Sequence, residues 1–498
     1  MSALEQLQER YGEVVDLNSA IALLHWDQEV YMPPKGAAAR GRQLATLSAL
    51  AHRSFTDAEV GKLLKALEAD QGLSGDARLT VSETRHDYDL ATKLPESFVS
   101  AMAEEQSKAY QAWTTARAAS DFKQFQPNLE KLVELLRRKA DYLGYEQSPY
   151  DALLDEYERG LTSKFLTDLF GGLATRQSAL LQRIAQAGPQ PTPAWLKQTW
   201  SEDAQWQITM RVLKDMGFDF EAGRQDKSVH PFTTNFDLQD VRVTTRLSEE
   251  EPFSALTGSI HEGGHALYEQ GFLESDRRTI LGQAISLGIH ESQSRLWENM
   301  IGRSQPFWTH YTPLLRKYHG DKMKDVSAED VYRAINVVEP SFIRVEADEC
   351  SYNLHIILRF EIELALIEGR LAVKDVPEAW NARFKELLGL SVPSDAQGCL
   401  QDIHWSHGSM GYFPTYALGN LYAAQLLERM EADIPELWAQ VSAGNFAALL
   451  EWLRVKVHRV GRRRTATQLI EDITGLPPMP DAFLRYLEKK YHALYGVA

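Results

Sequence analysis

The sequence has no run of about 18 or more apolar residues, so it predicts no membrane span. Only two cysteines occur among 498 residues, Cys350 and Cys399, which is too few for a disulfide scaffold and fits a reducing compartment. The first residues, MSALEQLQERYGEVV, lack the basic and apolar segments of a secretory signal. These absences predict a cytoplasmic protein that does not bind membranes.

Basic residues are also in deficit, with 53 Lys and Arg against 69 Asp and Glu and a net charge of -16. An acidic balance of this size argues against nucleic acid as a partner. One stretch near the C-terminus is instead rich in basic residues, namely Arg454, Lys456, Arg459 and residues 462–464. No aromatic residues interleave with it, and we interpret it as a solvated or subunit-contacting surface.

Helical periodicity covers most of the chain. Apolar residues recur three or four positions apart in residues 4–27, 125–145, 163–188 and 418–432. Residues 465–496 read as two short helices on either side of a Gly-Leu-Pro-Pro break. Strand chemistry is confined to residues 229–247, with a turn-like segment at 235–240, and the best linker is at 187–194. The sequence therefore predicts a mainly α protein with one small hairpin or sheet.

His261, Glu262 and His265 form an H-E-x-x-H motif directly after the predicted hairpin. Two histidines four residues apart lie one turn apart on one helix face, so both can bind the same metal ion. Glu262 lies about 100° around the helix from His261, where it can hold a water molecule rather than the metal. Neutral imidazoles suit a zinc ion that keeps one position open. The alternative is a pair of hydrogen-bonded core histidines.

Two glycines inside the motif, at 263 and 264, each cost the helix about 1 kcal/mol relative to alanine. They suit a helix face that a ligand or a neighbouring backbone approaches closely. A third metal ligand is expected in the predicted helix 286–304. Glu291 is our first choice, with His290 and Glu298 as competitors. Glu298 lies two turns from Glu291 on the same face, so it could instead support another ligand.

The sequence resembles the carboxypeptidase Taq family of zinc metallocarboxypeptidases over nearly its whole length. The resemblance rests on six short motifs in the family's order. They are His230-Pro231-Phe232, Asp240-Val-Arg242-Val-Thr244, His261 to His265, His290-Glu291-Ser292-Gln293, Ile343-Arg344-Val-Glu-Ala347-Asp348, and Gly398-Cys-Leu-Gln401-Asp402-Ile-His404-Trp405. The chief departure is the basic stretch at 462–464.

This resemblance implies an elongated, mainly α, neurolysin-like fold with the metal in a deep central groove and the small sheet beside it. We expect residues 1–498 to form one domain whose two lobes flank the groove. The resemblance also implies a homodimer that releases single residues from peptides with a free C-terminal carboxylate. It assigns His261, His265 and Glu291 as ligands of one Zn²⁺ per subunit, which Co²⁺ can replace, and Glu262 as the general base.

A carboxypeptidase must bind the free carboxylate of its substrate, and the planar guanidinium of arginine matches that group. Arg344 is our first choice and Arg242 the second, because both lie in family motifs. For each, the alternative is an internal ion pair. Arg344 could pair with Glu346, Asp348 or Glu349, and Arg242 with Asp240.

The reaction also needs a donor for the developing oxyanion. Residues 404–416, HWSHGSMGYFPTY, read as a loop that lines a cleft. We predict Tyr412 as a catalytic residue there and His404, His407 and Tyr416 as substrate-binding residues, unless the tyrosines only satisfy their hydroxyls in the core. His230 is a further candidate for the groove.

Two other functions stay open at this stage. A zinc endopeptidase or oligopeptidase of similar helical fold would use the same metal chemistry and would lack only the cation that fixes the C-terminal carboxylate. A non-catalytic helical scaffold could have kept the motifs, although the presence of Glu262 argues against it.

Overall fold

The computed structural model describes residues 1–188 and 193–497. In the first half of the chain the α-helices are α1 (Ala3–Val30), α2 (Ala37–Phe55), α3 (Ala58–Glu68), α4 (Gly75–Lys93), α5 (Glu96–Ala119), α6 (Gln126–Leu143), α7 (Pro149–Leu154), α8 (Ser163–Gln186) and α9 (Glu202–Met216). The central part of the predicted linker at 187–194 lies outside the described residues.

The second half contains α10 (Ser254–Glu269), α11 (Leu287–Arg295), α12 (Gln305–His319), α13 (Ala328–Ile335), α14 (Tyr352–Ile367), α15 (Val376–Leu388), α16 (Pro414–Asp433), α17 (Leu437–Ser442), α18 (Ala447–Lys456), α19 (Ala466–Thr474) and α20 (Asp481–Tyr495). A π-helical segment, Leu296–Ile301, continues directly from α11. No helix within the described ranges combines the length and hydropathy needed to cross a membrane.

The helices form where the sequence pattern predicts them. In α6 the buried side chains include Leu129, Leu132, Val133 and Leu136, which follow the three-and-four spacing of one helix face. The two predicted C-terminal helices are α19 and α20, and α19 begins with a capping box at Thr465. The mainly α prediction is confirmed.

A three-stranded sheet lies between α9 and α10. Its strands are β1 (Gly223–Lys227), β2 (Thr233–Asp237) and β3 (Asp240–Thr245), in the order β1-β3-β2. The β2–β3 pair is antiparallel and forms the predicted hairpin, whereas β1 runs parallel to β3. The sequence pattern gives no signal for β1, because its residues, GRQDK, are polar and lack β-branched side chains.

The predicted turn at 235–240 is too long, because β2 continues to Asp237. Asn235 belongs to the strand, and its side-chain amide donates to Glu269 Oε2 at 2.5 Å. The polarity of this residue therefore serves a contact with α10 rather than a turn. On β3, Val241 and Val243 are fully buried, and Thr245 Oγ1 donates to the carbonyl oxygen of Ala255 in α10 at 3.1 Å.

The buried apolar residues form one large core and a small second cluster near the N-terminus. The large core is centred on α14 and α16, whose residues are buried almost all the way around. The small cluster joins α1, α3 and α4. Helix α11 packs against α10 and α16, and most of its residues are buried.

The basic stretch near the C-terminus contacts α4. Arg462 pairs with Asp87 at 2.6 Å and Glu83 at 3.1 Å, and Arg463 pairs with Asp276 at 2.6 Å. The interpretation of these two arginines as a solvated or subunit-contacting surface is therefore wrong. They bind acidic residues that lie far away in the sequence, and such partners leave no local signal.

Candidate metal centre and active site

Helix α10 presents the two histidines of the H-E-x-x-H motif, and α11 presents Glu291. One ligand atom from each of His261, His265 and Glu291 lies within 4.8 Å of the other two. Glu291 Oε2 is 3.4 Å from His265 Nε2 and 3.7 Å from His261 Nε2. Two imidazole nitrogens and one carboxylate oxygen therefore converge, as in hydrolytic zinc sites with an open fourth position. The donor set fits a divalent metal ion.

Two glycines allow α11 to lie this close to its neighbours. A Cβ atom on Gly264 would lie 2.7 Å from the carbonyl oxygen of Gln293 in α11, and one on Gly419 of α16 would lie 2.7 Å from Glu291 Cβ. Both distances are too short for a Cβ atom, so only glycine fits at these two positions. The close approach expected at Gly264 is therefore that of a neighbouring backbone. At Gly419, the missing side chain leaves space for the side chain of Glu291.

Replacing Gly419 with alanine is expected to weaken metal binding by about 10-fold to 100-fold, because the new methyl group displaces Glu291. Metal affinity is measured by competition with a chelating dye. Gly171→Ala in α8 is the matched control, since a Cβ atom there meets nothing within 4 Å. Unchanged affinity in a folded Gly419→Ala protein would contradict the packing argument.

His261 is oriented by Glu298. Its Nδ1 lies 2.8 Å from Glu298 Oε2, so the ring proton on Nδ1 donates to the carboxylate and Nε2 is left for the metal. Glu298 lies in the π-helical segment after α11, and such segments are frequent at functional sites. Of the roles considered for Glu298, the geometry favours support of a ligand.

His265 is oriented by His290, the other competitor for the third position. The Nδ1 atoms of the two rings are 2.6 Å apart, and His290 Nε2 lies 2.7 Å from Glu269 Oε1. Because His290 donates from Nε2 to Glu269, its Nδ1 accepts the proton of His265 Nδ1. His265 Nε2 therefore keeps its lone pair for the metal. Glu269 belongs to no recognisable motif, so the sequence alone does not identify it as part of the site.

Glu291 is held by Arg295 one helical turn later. Arg295 Nε donates to Glu291 Oε1 at 2.6 Å, and Ser294 Oγ donates to Oε2 at 3.0 Å. Arg295 is not among the residues predicted for the site, although a Glu–Arg pair four residues apart on a helix is a recognisable signal. With Oε1 bound by Arg295, Oε2 faces the two histidines.

The electrostatics of the cluster suit a metal ion. Burial lowers the pKa of His265 to about 3, so its imidazole is neutral at neutral pH. Burial also lowers the pKa of His261, but Glu291 and Glu298 outweigh it and leave the pKa raised. Burial raises the pKa of Glu291, yet Arg295 and the histidines hold that pKa well below its usual range. The third ligand is therefore an anion.

Glu262 lies beside the three ligands and is buried, and burial raises the pKa of its carboxyl group. Thr233 Oγ1, on β2, donates to Glu262 Oε2 at 2.7 Å. The sheet therefore orients the carboxylate that the sequence assigns as the general base.

A cavity of about 810 Å³ is lined by the three candidate metal ligands, His261, His265 and Glu291. Arg344, Tyr412 and Tyr416 line it together with Glu262. The other predicted substrate-binding residues are not among the described residues that line this cavity: they are Arg242, His230, His404 and His407.

Arg344 is buried and binds Asp402, with Nη2 and Nε at 2.9 and 3.0 Å from Oδ1. Its Nη1 donates to Tyr352 Oη at 3.1 Å. Arg359 binds the other oxygen of the same carboxylate, with its Nη2 at 2.6 Å from Oδ2. The ion pair considered for Arg344 exists, but its partner is Asp402 and not one of the acids at 346, 348 or 349.

Arg242 pairs with Asp240 at 2.8 and 2.9 Å and lies 4.3 Å from the ring centre of Trp26. These contacts favour the internal ion pair considered for it. His230 is exposed, in the segment between β1 and β2.

The segment 404–412 is held by Glu363 of α14, which accepts hydrogen bonds from Trp405 Nε1 at 2.8 Å and the Gly411 backbone N–H at 3.0 Å. This anchor presents Tyr412 to the cavity. His404 Nε2 lies 3.4 Å from the hydroxyl oxygen of Tyr416, a residue that lines the cavity. His407 is exposed and stacks on Tyr110.

A sequence model described as carboxypeptidase Taq (M32) metallopeptidase matches residues 6–491. The chain belongs to this family. The resemblance noted from the six motifs is thereby confirmed, and the site described above lies within the matched range.

Individual M32 relatives match along almost the whole chain. Thermostable carboxypeptidase 1 of Thermus thermophilus is 41% identical over 507 residues, covering 99% of each chain. Carboxypeptidase 1 of Bacillus subtilis is 40% identical, covering 96% of each chain. The crystal structure of an M32 carboxypeptidase from Deinococcus radiodurans superposes with a TM-score of 0.97 at 40% identity, covering 100% of both chains. The chain thus shares the fold of M32 carboxypeptidases.

Proposed function

We propose that this protein is a zinc-dependent carboxypeptidase that removes single residues from the C-termini of peptides with broad specificity. The observation that carries the proposal is the presence, in one cavity, of a three-ligand metal cluster, a buried glutamate and an arginine whose charge is incompletely neutralised. Each group answers one requirement of the reaction.

His261, His265 and Glu291 would hold the metal, with zinc preferred for its affinity for two imidazoles and a carboxylate and cobalt as a substitute. When bound, the metal supplies Lewis acidity, which polarises the scissile carbonyl group and makes water acidic enough to attack at neutral pH. The three ligand atoms converge on one position, so each subunit would bind one ion.

Glu262 acts as the general base. Its carboxylate accepts a proton from the attacking water and then donates that proton to the leaving amine. Thr233 holds one of its oxygens, so the other is free for proton transfer. Burial raises the pKa of this carboxyl group, which makes it a stronger base than an exposed glutamate.

Arg344 binds the terminal carboxylate of the substrate. Two guanidinium groups, those of Arg344 and Arg359, share the single carboxylate of Asp402, so the group of three carries an excess positive charge. Arg359 is fully buried, whereas Arg344 lines the cavity. A substrate carboxylate at Arg344 would complete the charge balance.

Tyr412 stabilises the oxyanion, and Tyr416 assists it. Burial raises the pKa of both phenols above the usual value, so each keeps the proton that it donates. Both line the cavity that contains Glu262. His404 acts indirectly through its contact with Tyr416.

Three further proposals rest on the family resemblance. We propose that residues 1–498 form one domain with two lobes, that the protein is a homodimer, and that it acts in the cytoplasm. Analytical ultracentrifugation tests the second of these.

Mass spectrometry of one unstructured peptide, supplied with a free or an amidated C-terminus, tests the proposed activity. The zinc-loaded protein is expected to produce a ladder that shortens from the free C-terminus and to leave the amidated peptide intact. Internal cuts in both peptides would favour an endopeptidase instead. Absence of cleavage with metal bound would favour the scaffold.

A further inference from the structure

The cavity that contains the three candidate metal ligands is lined by more acidic side chains than basic ones. Within the described residues, the acids are Glu262, Glu291, Glu298, Glu346, Asp348 and Glu349, and the cations are Arg295, Arg303 and Arg344. Whether each charge has a partner within the protein decides which of them a substrate side chain can bind.

Five of the six acids have partners. Glu262 accepts a hydrogen bond from Thr233, Glu291 and Glu298 pair with Arg295, Asp348 accepts from Ser351 and from backbone N–H groups, and Glu349 pairs with Lys490. Two of the cations are engaged, Arg295 with Glu291 and Arg303 with Glu298. Arg344 shares Asp402 with Arg359, and the proposed function assigns its remaining charge to the terminal carboxylate.

Glu346 differs from the other acids. It is exposed, and no side chain in the described ranges forms a hydrogen bond or ion pair with its carboxylate. It ends the short 3₁₀ turn that Arg344 begins. Between them Val345 is 72% exposed and lines the same cavity. The turn therefore offers the cavity an apolar surface and an unpaired negative charge beside Arg344.

We propose that Glu346 determines specificity by favouring peptides that end in lysine or arginine. This inference rests on the proposed function, because Arg344 must hold the terminal carboxylate for the last side chain to lie nearby. A 3₁₀ turn rises about 2 Å per residue, so the backbone of Glu346 lies about 4 Å further along the turn axis than that of Arg344, and both residues line the same cavity. The stem of a lysine or arginine side chain spans such a distance and can cover Val345 on the way.

The same arrangement disfavours an acidic last residue. Its side chain would meet the charge of Glu346. Arg295 and Arg303 are already paired with Glu291 and Glu298, and the terminal carboxylate occupies Arg344. An apolar last residue can contact Val345 without gaining an ion pair. The expected order of preference is therefore basic, then apolar, then acidic.

Competition between peptides that differ only in a final Lys, Leu or Glu tests the proposal. Mass spectrometry of one mixture gives the ratios of kcat/KM. For the zinc-loaded wild type we expect the lysine peptide to exceed the leucine peptide by about fivefold, the size of an exposed ion pair. Glu346→Gln should bring this ratio close to one, and Glu346→Lys should place the glutamate peptide above the lysine peptide.

The matched control is Glu339→Gln, which neutralises an exposed glutamate of the preceding segment that does not line this cavity. It should keep the wild-type ratio. If wild type, Glu346→Gln and Glu346→Lys shorten the peptides with equal ratios, the role of Glu346 is refuted while the carboxypeptidase activity stands. If wild type shortens no peptide, the proposed function falls and this inference falls with it.

Discussion

The Glu262→Gln variant is expected to lose about 10³-fold to 10⁴-fold in kcat while it keeps its metal. Glutamine preserves the shape of the side chain and can still accept the hydrogen bond from Thr233, but it cannot take a proton from water. Glu262 is not one of the three residues whose ligand atoms converge. Zinc content by mass spectrometry and single-turnover rates on one peptide measure the two effects separately.

Glu298→Gln provides the contrast for this experiment. Glu298 holds His261 rather than a reacting group, so its loss should weaken zinc binding and let most of the rate return when zinc is in excess. The two variants therefore separate a base from a residue that supports a ligand. Wild-type kcat in zinc-loaded Glu262→Gln would rule out Glu262 as the base.

The sequence predicts the motif helix well because its signal is local. His261, Glu262 and His265 lie within one turn of α10, and the apolar spacing around them identifies the helix. The cost of Gly264 in that helix indicates a close neighbour, which the structure identifies as the backbone of α11. Local periodicity likewise predicts α11, which lies within the expected helix 286–304.

The partners that tune the site are harder to predict because most are distant in the sequence. Asp402 is 58 residues from Arg344, and Glu269 is 21 residues from His290. Periodicity and propensity act over a few residues and carry no information on such pairs. Arg295 is the exception, since its distance of four residues from Glu291 could have been read from the sequence.

The polar strand β1 illustrates a second limit. Its residues have low intrinsic preference for a strand, and pairing with β3 in the folded protein decides its conformation. The same tertiary control applies to Asn235, whose contact with Glu269 keeps it in β2. Local sequence preference therefore predicts neither the strand β1 nor the position of Asn235 within β2.

Replacing Arg344 with alanine is expected to reduce kcat/KM on peptides with a free C-terminus by about 100-fold, through KM, because the substrate carboxylate loses its partner. Asp402 keeps Arg359 as a counter-ion, so the variant should fold. Arg344→Lys keeps the charge but loses the planar fork, and we expect it to lie between wild type and alanine.

Amidated peptides identify the reason for the loss. They carry no terminal charge, so any slow cleavage of them should be equal in wild type and Arg344→Ala. If the variant lost the same factor on free and amidated peptides, Arg344 would have to act on the structure of the cavity rather than on the carboxylate. A selective loss, by contrast, would mean that the shared carboxylate of Asp402 leaves Arg344 with charge for the substrate. The same pair of buried arginines would then explain why the protein cuts at the end of a chain.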